Sequence, residues 1–133
     1  MKREKIFGVF NNNNKFDIDL SKALIREKEL SNILQNSKME VKCDSIWKES
    51  GNLAIEFRCR NKLSGISVSE ADYYAFILDD KGESKRIIII PTNELKKLAR
   101  KFYSYGSIVF GGDDRAAEMV LIPLTEFVKH GEI

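Results

Sequence analysis

Two stretches in the first half of the chain alternate between apolar and polar residues. The apolar positions are Met39, Val41 and Cys43 in the first stretch and Leu53, Ile55, Phe57 and Cys59 in the second. Successive side chains of a β-strand point to opposite faces, so this period of two predicts strands over residues 38–44 and 52–60, each with one apolar and one polar face. We expect both cysteines to be buried free thiols on the apolar faces.

A stretch of turn composition, Glu49-Ser50-Gly51-Asn52, separates the two strands and predicts that they pair as a hairpin. Closure near residue 50 places Asp44 opposite Glu56 and Lys42 opposite Arg58 on the polar face. Directly opposed side chains lie only ~5 Å apart, so the two carboxylates repel each other unless a cation lies between them. The alternative is a solvent-facing sheet surface with mixed charges.

A helix is predicted before the first strand. Asp19 or Ser21 can cap it, and it runs to about Gln35 with most of its apolar residues on one side. Glu27 falls near the middle of that side. A carboxylate that faces a core is costly unless it is paired or binds a metal, whereas a helix that turns Glu27 to solvent avoids the cost.

Further helices and strands alternate along the rest of the chain. The predicted strands are Ile6–Phe10, Tyr73–Leu78, a buried strand Arg86–Ile90, and a final hairpin of Ser107–Phe110 with Glu118–Leu124. Asn11–Asn14 favour a loop, and Ser67 with Glu70 fits a capping box that starts a short helix through Asp72. After Pro91, a helix capped by Thr92 or Asn93 has an inward face of Leu95, Leu98, Ala99 and Phe102 and an outward face of Lys97, Arg100 and Lys101. We therefore expect one α/β domain of the α+β type over residues 1–133, with an N-terminal strand and loop over 1–16 and a core over 17–133.

Composition excludes several classes of protein. The chain has 133 residues, 43% of them hydrophobic and 32% charged, which suits one folded domain. No apolar run approaches the ~18 residues of a membrane span, since Ile87–Ile90 is strand-sized. The N-terminus lacks the apolar segment of a signal peptide, so we expect a cytoplasmic protein without a membrane partner. Two cysteines and one histidine make a disulfide framework, a zinc motif or a histidine-based triad improbable.

Hard oxygen donors remain as the candidate chemistry. Glu27, Asp44 and Glu56, with a basic residue beside them, form an oxygen-only set that suits magnesium or manganese. Such ions can activate a water and neutralise a phosphodiester during hydrolysis. Charge adds to this picture, because residues 81–101 hold seven bases against two acids although the whole chain has a net charge of only +2. This concentration suits an anionic partner, and an ordinary solvated helix face is the alternative.

These residues resemble the PD-(D/E)XK nuclease superfamily. The likeness consists of an acid on a helix, an Asp on a strand (Asp44) and the triplet Glu56-Phe57-Arg58. A group of small phage and prophage nuclease-like proteins is similar over longer segments. These are Glu40–Lys42, Ser50–Glu56, Lys62–Ser67, Ala71–Tyr74, Ile90–Leu95 and Gly111–Asp114.

The resemblance implies a metal-dependent DNA nuclease with a restriction-endonuclease-like core, in which helices flank a central mixed β-sheet. Asp44, Glu56 and Glu27 would bind Mg²⁺ or Mn²⁺, and Arg58 and Lys42 would complete the catalytic set. DNA would contact Lys97, Arg100, Lys101, Lys62 and Ser64. The expected setting is the cytoplasm of a bacterial or phage-infected cell, and pairing with a second copy of the chain stays open.

Two departures from the family pattern and one alternative placement of the motif keep a second interpretation open. Cys43 stands where the family has Pro before the Asp, and Arg58 stands where it has Lys; an arginine cannot release a proton to act as a base. Glu40-Val41-Lys42 is itself a Glu-x-Lys triplet, which would move the site by one strand. The alternative function is therefore a non-catalytic accessory protein of nuclease fold that binds nucleic acid or a host protein.

Overall fold

The computed structural model describes residues 15–129, and the chain divides into two units after Asn36. Helix α1, Lys15–Asn36, belongs to the first unit. It confirms the predicted first helix but begins earlier than expected, so Asp19 and Ser21 lie within the helix. The predicted strand at residues 6–10 and the loop at 11–14 lie outside the described residues.

The second unit contains every strand of the described chain. Its strands are β1 (Met39–Asp44), β2 (Asn52–Cys59), β3 (Lys62–Leu63), β4 (Tyr73–Asp80), β5 (Glu83–Pro91), β6 (Ile108–Gly111) and β7 (Ala117–Pro123). Its helices are α2 (Trp47–Ser50) and α3 (Thr92–Ser104), and short 3-10 helices cover Gly65–Ser67, Asp113–Arg115 and Leu124–Phe127. Within residues 15–129, no helix is both long and apolar enough to cross a membrane.

The strands form two sheets. The first is mixed and has the order β1-β4-β5, with β1 parallel and β5 antiparallel to β4. The second is antiparallel and has the order β3-β2-β7-β6. One buried cluster joins both sheets to α3, with Leu53, Phe76, Leu95 and Ile122 among its members. The predicted mixture of helices and strands is confirmed, whereas the strands form two sheets instead of one central sheet.

The predicted hairpin of β1 with β2 is wrong, because the two strands belong to different sheets. Asp44 pairs with Leu78 of β4, and Glu56 pairs with Met119 of β7. Helix α2 lies between the strands in the chain, and Gly51 ends it with φ 69° and an N–H that donates to the Trp47 carbonyl. A hydrophobic period of two predicts a strand and its two faces, but it does not predict the partner strand.

The first sheet also turns its faces opposite to our expectation. Glu40, Lys42 and Asp44 pair with Tyr74, Phe76 and Leu78, whose side chains are buried, so the polar face of β1 is the inner one. The apolar face is open, since Val41 is 52% exposed and Cys43 is exposed. The predicted burial of Cys43 is therefore wrong; Cys59 is partly buried and is also a free thiol.

Strand β5 is less buried than its four isoleucines suggested. Ile88 and Ile90 pack against the core, but Ile87 is 62% exposed and Ile89 is 37% exposed. The strand lies at an edge of its sheet, so only its inner face is covered within this unit. Our prediction of a buried strand is wrong for the outer face.

Helix α3 confirms its predicted inner face, because Leu95, Leu98 and Ala99 are buried and Phe102 packs against the core. On its outer face, Lys97 and Arg100 are exposed as predicted. Lys101 is instead partly buried, with its Nζ 3.1 Å from Oε1 of the buried Glu126. The ammonium groups of Lys129 and Lys101 hold the pKa of Glu126 below its usual value, so Glu126 neutralises Lys101.

Two further predictions concern the connections. The final hairpin is confirmed as the antiparallel pair β6 and β7. The capping box is wrong, because residues 68–72 form no helix and Ser67 Oγ donates to the carbonyl of Phe57 at 2.7 Å instead. Asp72 ties the starts of two strands together, since its Oδ2 accepts the Lys38 N–H at 2.8 Å and its own N–H donates to the Lys38 carbonyl.

Candidate active site

A cavity of about 210 Å³ lies between the two sheets, and we call it the carboxylate cavity. Its lining includes Lys42 and Asp44 from β1, Ile55 and Glu56 from β2, and Tyr74 and Phe76 from β4. Asp44, Glu56 and Lys42 are thus brought to one cavity from different sheets, without the strand pairing that we predicted for them. Strand β1 contributes its polar face to the cavity, whereas β2 contributes both the buried Ile55 and the neighbouring Glu56.

Asp44 is held in a fixed orientation at the end of β1. Its Oδ1 accepts the backbone N–H of Ile46 at 2.8 Å, a local bond that Asp forms readily in turns. The residue is half-buried, and only one of its carboxylate oxygens is used in this bond. The second oxygen is therefore available to a ligand in the cavity.

Glu56 lies in the middle of β2, between the buried residues Ile55 and Phe57. Among the residues whose side chains are described, its carboxylate has neither a hydrogen-bond donor nor an ion-pair partner. A half-buried carboxylate without a partner loses part of its hydration without compensation. This cost favours a cationic ligand near Glu56.

Gly65 packs directly against the backbone of Glu56. It adopts φ +51°, and a Cβ at this position would overlap the Glu56 carbonyl group. The adjoining backbone is fixed by Ser64 N–H and Ser67 Oγ–H, which donate to the Phe57 carbonyl at 3.1 and 2.7 Å. The 3-10 helix of Gly65–Ser67 therefore fixes the position of Glu56 from one side.

Lys42 is the basic residue that lines the cavity in the described chain. Its Nζ lies 3.2 Å from Oε1 of Glu40 on the same face of β1, and its side chain is 53% exposed. Exposed ion pairs contribute little to stability, so the ammonium group can leave Glu40 for an anion at low cost. Lys42 is thus placed to contact an anionic ligand beside the two carboxylates.

Arg58 does not line the carboxylate cavity. A β-bulge separates it from Glu56, so that Glu56 pairs with Met119 and Arg58 with Glu118. Its Nη1 lies 3.7 Å from Oε1 of Glu118, and its guanidinium lies 5.8 Å from the centre of the Phe57 ring. The predicted position of Arg58 opposite Lys42 is therefore wrong.

The other predicted site residues of the second unit do not line this cavity. Glu27 lies on α1 in the first unit, and its metal ligation stays a prediction. Lys62 is exposed on β3, and Lys97 and Arg100 are exposed on α3. Ser64 is partly buried, and within the described part of the chain its Oγ has no hydrogen-bond partner. No group of three or more His, Cys, Asp or Glu residues that could hold a metal ion occurs among the residues described.

Sequence reasoning missed Gly65, Tyr74 and Met119 as parts of the site. Each reaches the cavity through a contact between residues that are far apart in the chain, such as the parallel pairing of Glu40 with Tyr74. The alternation of Tyr74, Phe76 and Leu78 in the sequence does predict a buried face of β4. This alternation does not predict that the polar face of β1 lies beside that buried face.

The chain matches no protein-family model, no curated protein and no solved structure in the comparisons made. The resemblance to PD-(D/E)XK nucleases therefore stays a prediction. The geometry of the carboxylate cavity carries the functional proposal that follows.

Proposed function

We propose that this protein is a metal-dependent DNA nuclease of phage or mobile-element type, with its active centre in the carboxylate cavity. One observation carries the proposal: Asp44 and Glu56 come from different sheets, yet both line one cavity together with Lys42. Both carboxylates are half-buried and so lose part of their hydration. A cationic ligand held by both relieves this cost. We also propose that the two sheets and the helices of the second unit form a restriction-endonuclease-like core.

The donor chemistry of the cavity fits Mg²⁺ or Mn²⁺. Asp44 and Glu56 offer hard carboxylate oxygens, and magnesium is commonly held by one or two carboxylates, with water and substrate phosphate as its other ligands. These two residues would hold the ion, so a cluster of three acids is not required. When bound, the ion would neutralise charge on a phosphodiester and lower the pKa of a water.

The protein's own groups would orient the substrate. The Ile46 N–H fixes one oxygen of Asp44 and so directs the other. Lys42 would donate from its ammonium group to a phosphate oxygen, where charge develops during hydrolysis. Tyr74 and Phe76 give the cavity an aromatic wall that excludes bulk water from one side. In hydrolysis, a water oxygen would bond to phosphorus and the P–O bond to the 3′ or 5′ oxygen would break. The proton of that water would pass to solvent, and the leaving oxygen would take a proton from solvent or from Lys42.

A specific observation favours the second candidate function, a nuclease-fold accessory protein that binds DNA or a host protein without cutting. Arg58, the residue at the family's lysine position, contacts Glu118 instead of the cavity. The catalytic role then depends on Lys42, which is paired with Glu40 in this structure. A protein that had lost catalysis could keep the two carboxylates and lose the basic group.

Cleavage of single-stranded, duplex and branched DNA with Mg²⁺ or Mn²⁺, and with EDTA as the metal-free control, tests the proposal. We expect Asp44→Asn and Glu56→Gln each to abolish cutting while the proteins remain folded. Glu49→Gln is the matched control, because it removes an exposed acid outside the cavity. Lys42→Met should abolish cutting, whereas Arg58→Met should retain it.

The outcomes separate the two functions. Cutting that survives in both Asp44→Asn and Glu56→Gln would refute the site. If the wild-type protein cuts none of these substrates but binds one of them, the accessory function is correct. Loss of cutting in Arg58→Met, with Lys42→Met still active, would assign the basic role to the position that the family pattern indicated.

A further inference from the structure

A second cavity, of about 360 Å³, lies between α3 and the second sheet, and we call it the aromatic groove. Its lining includes Phe57, Ile66 and Val120 from the sheet side and Lys96, Arg100 and Tyr103 from α3. The volume falls in the range of about 300–1,000 Å³ that is typical of small-molecule sites. The groove is thus large enough for a ligand of the size of one nucleotide.

The floor and one wall of the groove are apolar. Ile66, Val120 and Phe57 are buried, and the rings of Phe57 and Tyr103 meet edge to face with their centres 5.3 Å apart. Tyr103 is 48% exposed, so part of its ring is open to a ligand. Exposed aromatic rings bind flat unsaturated rings, including nucleic-acid bases, by stacking.

Two cations lie on the α3 side of the groove. Lys96 and Arg100 are four residues apart and therefore lie on the same side of the helix. Within the described chain neither has an acidic ion-pair partner, whereas their neighbours Lys97 and Lys101 contact Glu94 and Glu126 at 3.3 and 3.1 Å. Two like charges at this spacing repel each other, and a bound anion removes the repulsion.

The groove adjoins the carboxylate cavity. Ile66 lines both cavities, and Phe57 directly follows Glu56 in β2. Successive side chains of a strand point to opposite faces, so Glu56 lines one cavity while Phe57 lines the other. A ligand that fills the groove is therefore a neighbour of any ligand held by the carboxylates.

We propose that the aromatic groove binds one unpaired nucleotide of single-stranded DNA, with its base against Tyr103 and its phosphate at Lys96 and Arg100. The exposed aromatic ring complements a flat base, and the two unpaired cations complement an anionic phosphate. A paired base is stacked inside the duplex and cannot reach such a wall without being flipped out. The assignment to DNA rests on the proposed function, and it names an unpaired strand as the substrate class.

Fluorescence anisotropy with a labelled oligo-dT strand and with a duplex of equal length tests the proposal, in EDTA so that no strand is cut. We expect the wild-type protein to bind the single strand more tightly than the duplex. Tyr103→Leu should weaken single-strand binding about 5- to 100-fold, the usual range for loss of one stacked base. Lys96→Ala and Arg100→Ala should each weaken it, and the double variant, which loses the one phosphate contact, should lower the salt slope by about 0.7.

Lys85→Ala is the matched control, because Lys85 is an exposed lysine of the same basic segment that does not line the groove and is paired with Glu83. We expect it to leave the affinity within about twofold of wild type, since an exposed ion pair contributes little. Circular dichroism checks the fold of each variant. If Tyr103→Leu fails to fold, Arg100→Ala at its exposed position still decides the question.

Unchanged single-strand affinity in a Lys96→Ala, Arg100→Ala double variant would overturn the proposal. So would an equal loss in Lys85→Ala, or tighter binding of the duplex than of the single strand. The assay also separates this proposal from the nuclease activity. If the wild-type protein cuts no DNA but the groove variants lose single-strand binding, only the proposed nuclease activity is refuted. If the wild-type protein cuts DNA but the groove variants bind the single strand normally, only the proposed nucleotide site is refuted.

Discussion

A β-bulge at Phe57 changes the side of the sheet to which the following side chains of β2 point. Phe57 has no register partner in β7, where Glu56 and Arg58 pair with the consecutive residues Met119 and Glu118. One extra residue in a strand redirects the side chains that follow it, which is a common function of bulges near sites. The bulge explains why Arg58 leaves the face of Glu56. It also frees the Phe57 carbonyl to accept bonds from Ser64 and Ser67.

Gly65 gives the first prediction at this scale, with Gly51 as its matched control. Both glycines have positive φ, +51° and +69°, so alanine at either position costs about 1–2 kcal/mol of backbone strain. Alanine at Gly65 also overlaps the Glu56 carbonyl, whereas a Cβ at Gly51 meets no atom within 4 Å. We expect Gly65→Ala to cost about 1–3 kcal/mol more than Gly51→Ala, measured by urea unfolding. Equal costs would show that the 3-10 helix does not pack tightly on Glu56.

Strands β1 and β5 show what periodicity predicts at the scale of an element and where it stops. The strands at 38–44, 52–60, 73–78 and 86–90 are confirmed because alternation and β-branched runs depend only on neighbours in the chain. Which face is inward depends on what covers it. Both β1 and β5 are edges of a three-stranded sheet, so the outer faces that carry Val41, Ile87 and Ile89 remain open within this unit.

The site was partly predictable for the same reason. Lys42, Asp44 and Glu56 were chosen because they stand on polar faces of strands, and they do line one cavity. Their expected pairing in a hairpin failed because sheet order is set by contacts between distant segments, here β1 with β4 and β2 with β7. The predicted position of Arg58 is wrong because a bulge does not disturb the alternation of apolar and polar residues in the sequence.

The open outer face of β5 gives a prediction for the element. Ile88 packs against the core, so Ile88→Ala should cost about 2 kcal/mol or more of unfolding free energy. Ile87 is 62% exposed, so Ile87→Ala should cost less than about 1 kcal/mol, mainly through β-propensity. Guanidinium unfolding at matched m-values measures both. If the two variants lose equal stability, another surface covers Ile87 in solution.

At the scale of the whole molecule, ion pairing redistributes the positive charge of residues 81–101. Three bases of this segment have acidic partners, since Lys85 pairs with Glu83, Lys97 with Glu94 and Lys101 with Glu126. The other four, Lys81, Arg86, Lys96 and Arg100, have no acidic ion-pair partner within the described chain, and two of them, Lys96 and Arg100, line the aromatic groove. Half of the unneutralised charge of this segment therefore lies at the groove, which shares Ile66 with the carboxylate cavity.

Divalent metal gives the last prediction, because its effect extends to the stability of the folded chain. A ligand that binds only the folded state stabilises it by RT ln(1 + [L]/Kd), so millimolar Mg²⁺ acting at a millimolar Kd adds about 0.5–1.5 kcal/mol. For a chain of this size the melting temperature should rise by about 2–8 °C. Sodium chloride at equal ionic strength controls for screening of surface charge.

Asp44→Asn and Glu56→Gln should remove this rise, while Glu49→Gln should keep it. Without metal, each cavity variant should melt at or above the wild-type temperature, because it replaces a half-buried carboxylate by a neutral amide that loses less hydration. A lower melting temperature for both variants, together with no metal-dependent rise in the wild type, would mean that the two acids stabilise the fold through contacts of their own. The cavity would then have no need of a cation, and the accessory function would be favoured over the nuclease.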